Sequence, residues 1–575
     1  MNISAKELDK MQNDIVNPII QQAYNDGRLV VADVAQFFSD AGIALPDKAN
    51  PVVALYMQPP GSGVHLAPKI TRAIKLADID ALPQRVAGPQ FEGGEHTAIG
   101  DQVDLYFVSG QPGQKAYTVP LSLPNGLNLT YGQILALGGD FYGDPANPIS
   151  DGATLAERQQ RFINSYNSLA QKPASKNEAS KILAVMQIEI DAVNAAINAG
   201  LPASSAYKKL GDTLSEQWNR ITGGGSIISP WIPMGRYLKL AASNWDPFSQ
   251  CAVLAYTAGH SVAMQAAVAA HNISNPQQQM LALQQAYAMN AFADHFLTDL
   301  FSSGHMRSPR KQLNDTVTPA SAGGLLTRYM HDEDCANGLY VQNKRGNQWK
   351  AYGDKRYFDM IDLTNTLLVN GAAQLSADDI YQAFISGQVV PPDQYTALYV
   401  IPDLTAVQDY QHPGLNYSPM FVASGNTVIR RNDLNNPLDF SWTSSWWGWS
   451  TLSWLKASYK GPSWQIGPMK TPATGPTIAS NGWQTSNPIP PNWVNGNQVR
   501  YCVSFVNGLN ETNPGPWGNT VTLKNQFLPT LTGIPTDPTN TAKARNIYRE
   551  FVGHPFSYVG TISNNTDTSF IDKTP

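Results

Sequence analysis

Nine histidines occur in 575 residues, and five of them fall between positions 260 and 331. Four of those five stand at spacings from carboxylates that suit a bound metal ion. The strongest element is NAFADHFLTDLFSSGHMR, where His295 and Asp299 are four residues apart on a strongly helical stretch. Both then project from one face and can share an ion. His305 follows six residues after Asp299, past a Ser-Ser-Gly break that ends the helix and turns the chain back. The helix before it is apolar, so these polar groups are buried unless ligated. The plainer alternative is a satisfied core histidine beside a helix-surface Asp, and it weakens as further elements join the first.

A second element is NWDPFSQCAVLAYTAGH, in which Asp246 and His260 are fourteen residues apart, almost a whole number of helical turns. Asp246 also reads as an N-cap, with Pro247 at the first helical position. That role is compatible with meeting a metal at the helix mouth. In RYMHDEDCANG, His331 precedes Asp332, Glu333 and Asp334, and His331 and Asp334 share one helical face. A solvated acidic turn is the bland reading of that run. In LALGGDFYGDP, Asp144 before Pro145 reads as turn chemistry, which leaves Asp140 as a further ligand candidate. His271 reads as a surface residue beyond the helix end.

Helices must position these groups. From about 130 to 385 the apolar pattern is mainly helical, with candidate helices at 129–138, 153–171, 176–199, 203–221, 233–243, 247–271, 275–303 and 355–370. Residues 3–42 also read as helices, whereas 50–128 carry short strand-like runs between Gly- and Pro-rich turns. After about 390 the helical period fades. Residues 438–466 are rich in Trp, Ser and Gly, and 467–493 form a Pro-punctuated linker. The last hundred residues alternate strand-like runs such as VRYCVSFVN and FSYVGTI with the turn signals NG, NPG and PTDP, as a small β-sandwich does. The expected organisation is a catalytic region over 1–390 with its helical core at about 125–385, a Trp-rich connecting region over 391–474, and a sandwich over 475–575.

Only 14% of residues are charged while 42% are hydrophobic, and 24 Tyr with 13 Trp mark a folded chain rather than a disordered one. The net charge of −5 and the lack of any Lys/Arg cluster weigh against nucleic acid as a partner. Three widely spaced cysteines make neither a disulfide framework nor a CxxC zinc pattern. The charged start MNISAKELDKMQNDIV is not a signal peptide, so export is expected only by a route that does not read one, the chain being cytoplasmic until then. Cys251–Ala270 is nearly long enough to span a bilayer, but its small residues and central His260 read as a buried bundle helix.

The order of these elements resembles the zinc-dependent phospholipase C and single-strand nuclease superfamily, an all-helical fold carrying three zinc ions. There an Asp and a His fourteen apart are followed by HxxxD, by a His six residues on, and by a further His with a nearby carboxylate. Asp246, His260, His295, Asp299, His305 and His331 meet those steps here. The phrases YGQILALGGDFYG and YMHDED further resemble a divergent bacterial branch assigned to phosphatidylcholine hydrolysis. The resemblance covers roughly 125–370 and implies two or three zinc ions. Asp246, His260, His295 and Asp299 would hold the first. His305 and His331 with one carboxylate, preferably Asp334 but alternatively Asp332 or Glu333, would hold the second, because Cys335 stands where the family's HxxxE has its Glu. Asp299 would bridge toward a third, rebuilt with Asp140 or absent. Asp246 would orient or deprotonate the attacking water. The C-terminal runs resemble a fibronectin type III module.

The implied activity is a phospholipase C that cleaves phosphatidylcholine to diacylglycerol and phosphocholine, with transient contact to a membrane surface. The rival readings are a zinc phosphodiesterase of another class, such as a single-strand nuclease or phosphatase, and a non-catalytic adhesion or toxin-delivery protein. Trp442, Trp446, Trp447, Trp449 and Trp454, with no charge between Asp439 and Lys456, suit either a membrane-docking surface or a core between domains.

Overall fold

The computed structural model describes residues 93–198, 203–206, 213–224, 235–317, 320–345, 347–461, 469–485, 496–507, 510–523, 527–552 and 557–573. The helices expected at 3–42 and the strands expected before residue 93 lie outside the described residues. Among the described residues there are fourteen α-helices. They are α1 (Gly93–Asp101), α2 (Tyr131–Tyr142), α3 (Leu155–Ala170), α4 (Pro173–Asn198), α5 (Thr213–Ile221), α6 (Arg236–Ser243) and α7 (Ser249–His271). There follow α8 (Pro276–Asp299), α9 (Ser303–Met306), α10 (Arg310–Thr316), α11 (Ala320–Asn337), α12 (Leu363–Ser386), α13 (Leu404–Gln408) and α14 (Gly448–Ser458).

The bundle centres on α7 and α8. α7 is rich in alanine, and its Gly259 lies so close to Phe162 and Ala293 that a Cβ there would overlap both. Small residues on a helix face let a neighbouring backbone approach. α7 is long and apolar enough to cross a bilayer, yet it packs among α3, α8 and α12. α8 starts cleanly, because Asn275 accepts from the backbone N–H groups of Gln277 and Gln278 and Pro276 needs no partner of its own. Its last turns, Asn290 to Asp299, are buried throughout. α2 starts on a capping box between Thr130 and Gln133 and runs across the end of α8.

Two expected boundaries shift. The helix expected at 355–370 begins at Leu363 and runs to Ser386, since residues 353–362 form a tight loop held by Arg356–Asp359 and by Tyr352 donating to Asp362. α7 begins at Ser249 with Phe248 at its N-cap, so Asp246 does not cap it. Helices α1, α10, α13 and α14 had no counterpart among the candidate helices, and α11 was expected only as a helical face around His331 and Asp334. In α11 the pair Gly323–Gly324 weakens the helical pattern, but a side chain at either position would overlap the backbone of Leu313 or Ala242.

The Trp-rich region does not stand apart from the bundle. A hairpin, Phe421–Ser424 against Thr427–Arg431, joins α14 in one core with α10 and α11. Leu452 and Leu455 of α14 meet Leu313, Leu326 and Met330 there. The C-terminal part forms two antiparallel sheets. One is ordered Thr477–Thr485, Phe527–Thr532, Phe570–Ile571; the other is Asn510–Glu511, Gln498–Asn507, Ala544–Phe551, Ser557–Ile562, with Val521–Thr522 also on Gln498–Asn507. Val499, Tyr501, Val503, Ile547 and Leu531 fill the space between them. Asn513 reaches from this part to Asp359 of the helical part, at 3.2 Å.

Candidate metal centre

α1, α2, α8, α9, α11 and the loop after the strand Gln348–Ala351 converge on one cavity of about 490 Å³. His96 of α1, Asp140 of α2 and His295 of α8 bring their ligand atoms within 4.8 Å of one another. His305 of α9, His331 of α11 and Asp354 of the loop do the same. Asp299 lies between the two groups: its carboxylate is 3.4 Å from His96 Nε2, 3.3 Å from His295 Nε2 and 3.9 Å from His305 Nδ1. Each group could hold a metal ion, and Asp299 could serve both.

The rings are held in a way that tests this. Each of the four imidazoles has Nδ1 engaged outside the cluster: His96 with Thr298 Oγ1, His295 with the Leu135 carbonyl, His305 with the Pro247 carbonyl and His331 with Asp332 Oδ1. Nε2 is thereby turned toward the carboxylates, as at metal-ligating histidines, whose second nitrogen is fixed by an outer partner. His295 Nε2 and Asp299 Oδ2 are buried and make no hydrogen bond. The two lie 3.3 Å apart with no hydrogen bond to complete either, and a cation held by both would satisfy each. Gly139 makes room for this arrangement, because a Cβ there would overlap the His295 ring. Carboxylate and imidazole donors in these numbers suit a bound metal ion.

The charges agree. Burial, with His96 and His305 close by, lowers His295 to about 4, so it is neutral and able to donate its lone pair. Burial alone would lower His96, but Asp299, Asp140 and Asp354 raise it to about 9. Asp354 is held well below the carboxylate range by His331 and His305 despite its burial. Asp354 is positioned by Ser302, which donates to it at 2.7 Å, and by Glu95, which accepts from the backbone of Lys355 and Tyr357.

Compared with known proteins, the chain matches no family model, and no curated protein matches it.

Of the residues singled out from the sequence, His295, Asp299, Asp140, His305 and His331 meet at the cavity. Asp246, His260 and Asp334 do not. Asp246 accepts from Ile149 N, Ser150 N and Ser150 Oγ at 2.6, 2.9 and 2.6 Å and pins that loop. Burial raises it to about 6 against those hydrogen bonds. The set Asp246, His260, His295 and Asp299 therefore forms no common site, and the water-activating role expected of Asp246 has no geometry here. His260 bonds Asn290 Oδ1 at 2.6 Å, within a buried network that includes Tyr131, Asp294 and Ser376. Asp334 is engaged by both arms of the Arg307 guanidinium, at 2.7 and 3.0 Å, and by Tyr417 at 2.6 Å. Glu333 is taken by Arg431, and Asp332 orients His331.

Sequence reasoning missed His96 and Asp354. His96 lies in a stretch read as strands and loops, and Asp354 twenty residues beyond the DED run. No local signal picks them out: Gly before Asp, as in YGD at Asp354, recurs as YGD at Asp144, which is not among the clustered residues. Cys335, four residues after His331, is buried with Sγ 3.6 Å from His331 Nε2.

Proposed function

We propose that this chain is a metal-dependent phosphodiester hydrolase, and within that class a zinc phospholipase C acting on phosphatidylcholine. The observation that carries the reading is the set of four outward-anchored imidazoles around the shared Asp299. His96, Asp140 and His295 would hold one zinc, and His305, His331 and Asp354 the other, with Asp299 between them. When bound, such ions supply Lewis acidity, which makes water nucleophilic near neutral pH and screens the charge of a phosphate diester.

The chain's own residues do the rest. The outer hydrogen bonds to Thr298, Leu135, Pro247 and Asp332 keep each Nε2 aimed inward without reorganisation. Tyr237, Phe248 and Leu325 give the cavity an apolar wall, suited to the glycerol side of a lipid head group. The cations that line the cavity are Arg310, Arg328 and Lys355; Arg310 is buried and spends its guanidinium on the carbonyls of Asn244 and Gly324, and Arg328 lies 3.7 Å from Asp332. Hydrolysis of short-chain phosphatidylcholine and of single-stranded DNA by the purified chain, with and without a chelator, tests the proposal. Chelator-sensitive release of phosphocholine is expected. Chelator-sensitive cleavage of DNA alone would move the reading to a nuclease, and inactivity on both would remove the enzymatic reading.

A further inference from the structure

The Trp-rich segment divides in two. Trp442 and Trp446 turn inward, donating their indole N–H groups to the carbonyls of Pro419 and Val428 at 3.3 and 2.8 Å. Trp446 also packs on Phe421. Trp447, Trp449 and Trp454 instead face out, with 80%, 59% and 39% of their surface exposed. α14 buries Thr451, Leu452 and Leu455 on its inner side, while Ser450, Ser453 and Ala457 are exposed along with Trp449 and Trp454. Trp447 stands at the N-cap of α14 in extended backbone, and Trp449 and Trp454 flank the exposed arc of the helix.

Trp447 and Trp449 stand mostly in solvent and Trp454 is partly exposed, and none of the three belongs to the core beneath α14. Indole favours the lipid–water boundary, where its ring meets hydrocarbon and its N–H meets head groups. Serines between the rings keep the face wettable. No charged residue occurs between Asp439 and Lys456, so the face complements a neutral, zwitterionic surface; anionic membranes are met by clustered Lys and Arg. The face is also tied to the cavity. The inner side of α14 packs on Leu326 and Met330 of α11, and α11 carries His331 and lines the cavity with Leu325 and Arg328.

We propose that Trp447, Trp449 and Trp454 form a docking surface for a zwitterionic phospholipid surface, which brings the lipid to the cavity through α11. The purpose of docking rests on the phospholipase reading; the binding itself does not. The test uses the full chain and phosphatidylcholine vesicles, with co-sedimentation and Trp emission as readouts that need no activity. Wild-type protein should bind with a blue shift, and binding should change little between roughly 0.1 and 0.5 M salt. The triple change W447A/W449A/W454A should reduce vesicle partitioning by about tenfold or more, since apolar burial carries the attachment. Its circular dichroism and melting should match wild type, as the three side chains lie outside the core. Where the chain is active, hydrolysis of vesicles should fall with binding while monomeric short-chain substrate is cleaved as before. Failure to bind these vesicles, binding only to anionic lipid and lost in salt, or equal binding by the triple variant would each overturn the proposal. So would a face that proves to mediate self-association or polysaccharide binding without vesicle binding. Inactivity on both substrates with Trp-dependent vesicle binding intact would sink the phospholipase reading alone.

Discussion

His260 and His295 stand on neighbouring helices of the same bundle, and both are wholly buried. Each has a carboxylate near Nε2: Asp379 at 3.5 Å for His260 and Asp299 at 3.3 Å for His295. What differs is where the carboxylates spend their oxygens. Around His260, Asp294 accepts from Tyr131 and Ser376 at 2.6 Å each, and Asp379 accepts from the backbone and hydroxyl of Thr396. Around His295, Asp299 Oδ2 accepts nothing, and His96 and Asp140 converge on the same space. Asp294 and His295 are adjacent in sequence, yet one points into the hydrogen-bonded network and the other into the cluster. His260 Nε2, like His295 Nε2, makes no hydrogen bond, so a buried histidine with an open nitrogen beside a carboxylate is not diagnostic alone; the convergence of His96, Asp140 and Asp299 on His295 is.

The largest effect should come from setting these two against each other. His295→Ala should remove bound metal and lower hydrolysis by about a thousandfold or more, while the melting of the chelated protein moves little. His260→Ala should do the reverse. It should destabilise the fold by about 2 kcal/mol, through loss of a wholly buried ring and of its bond to Asn290, and keep its metal. Metal content and chelated melting curves of both variants check the pair.

The same contrast can be drawn within the acidic stretch of α11 and the loop after it. Asp334→Asn breaks a buried bidentate pair with Arg307 and should destabilise by about 3–5 kcal/mol with metal retained in whatever folds. Asp354→Asn should lose an ion with less change in the chelated protein. Urea unfolding with and without metal separates them. A smaller effect is expected at Gly139. Gly139→Ala pushes a methyl at the His295 ring and should weaken metal binding by about ten- to a hundredfold, read by competition with a chromophoric chelator.

The smallest expected effect is a proton. His96 is raised to about 9 in the metal-free fold from 6.5. Its contribution to metal-free stability is therefore complete below about 6.5 and is lost as pH rises through about 9. A metal must displace that proton, so binding at neutral pH should release it, and affinity should rise with pH up to about 9. His331 is raised as well, against its burial, by Cys335, Asp354 and Asp332, so calorimetry in buffers of different ionisation heat should count fewer protons in His96→Ala than in the wild-type chain; an equal count would mean that His96 is not a ligand.

Helical spacing made part of the centre legible. His295 and Asp299 share a face because α8 continues through both, and His305 follows where the Ser-Ser-Gly break turns the chain. The same spacing argument failed for Asp246 and His260, since it presumes one continuous helix and α7 begins only at Ser249. For Asp334, a shared face with His331 was outweighed by Arg307, a partner brought in by the fold. His96 stands well before Asp140 and about two hundred residues before His295 and Asp299, Asp354 stands on an irregular loop, and no local period links either to the cluster. The helical and β-rich parts of the chain were readable from their periods, but the packing of the Trp-rich segment onto α10 and α11 was not, because a hydrophobic run does not name its partner.

Metal content, measured by elemental analysis of the purified chain after dialysis against micromolar zinc, tests the centre most directly. About two ions per chain are predicted, with His295→Ala and His331→Ala each binding fewer and His260→Ala binding the full number. Retention of no zinc by the folded wild-type chain, or equal zinc in His295→Ala and wild type, would contradict the account.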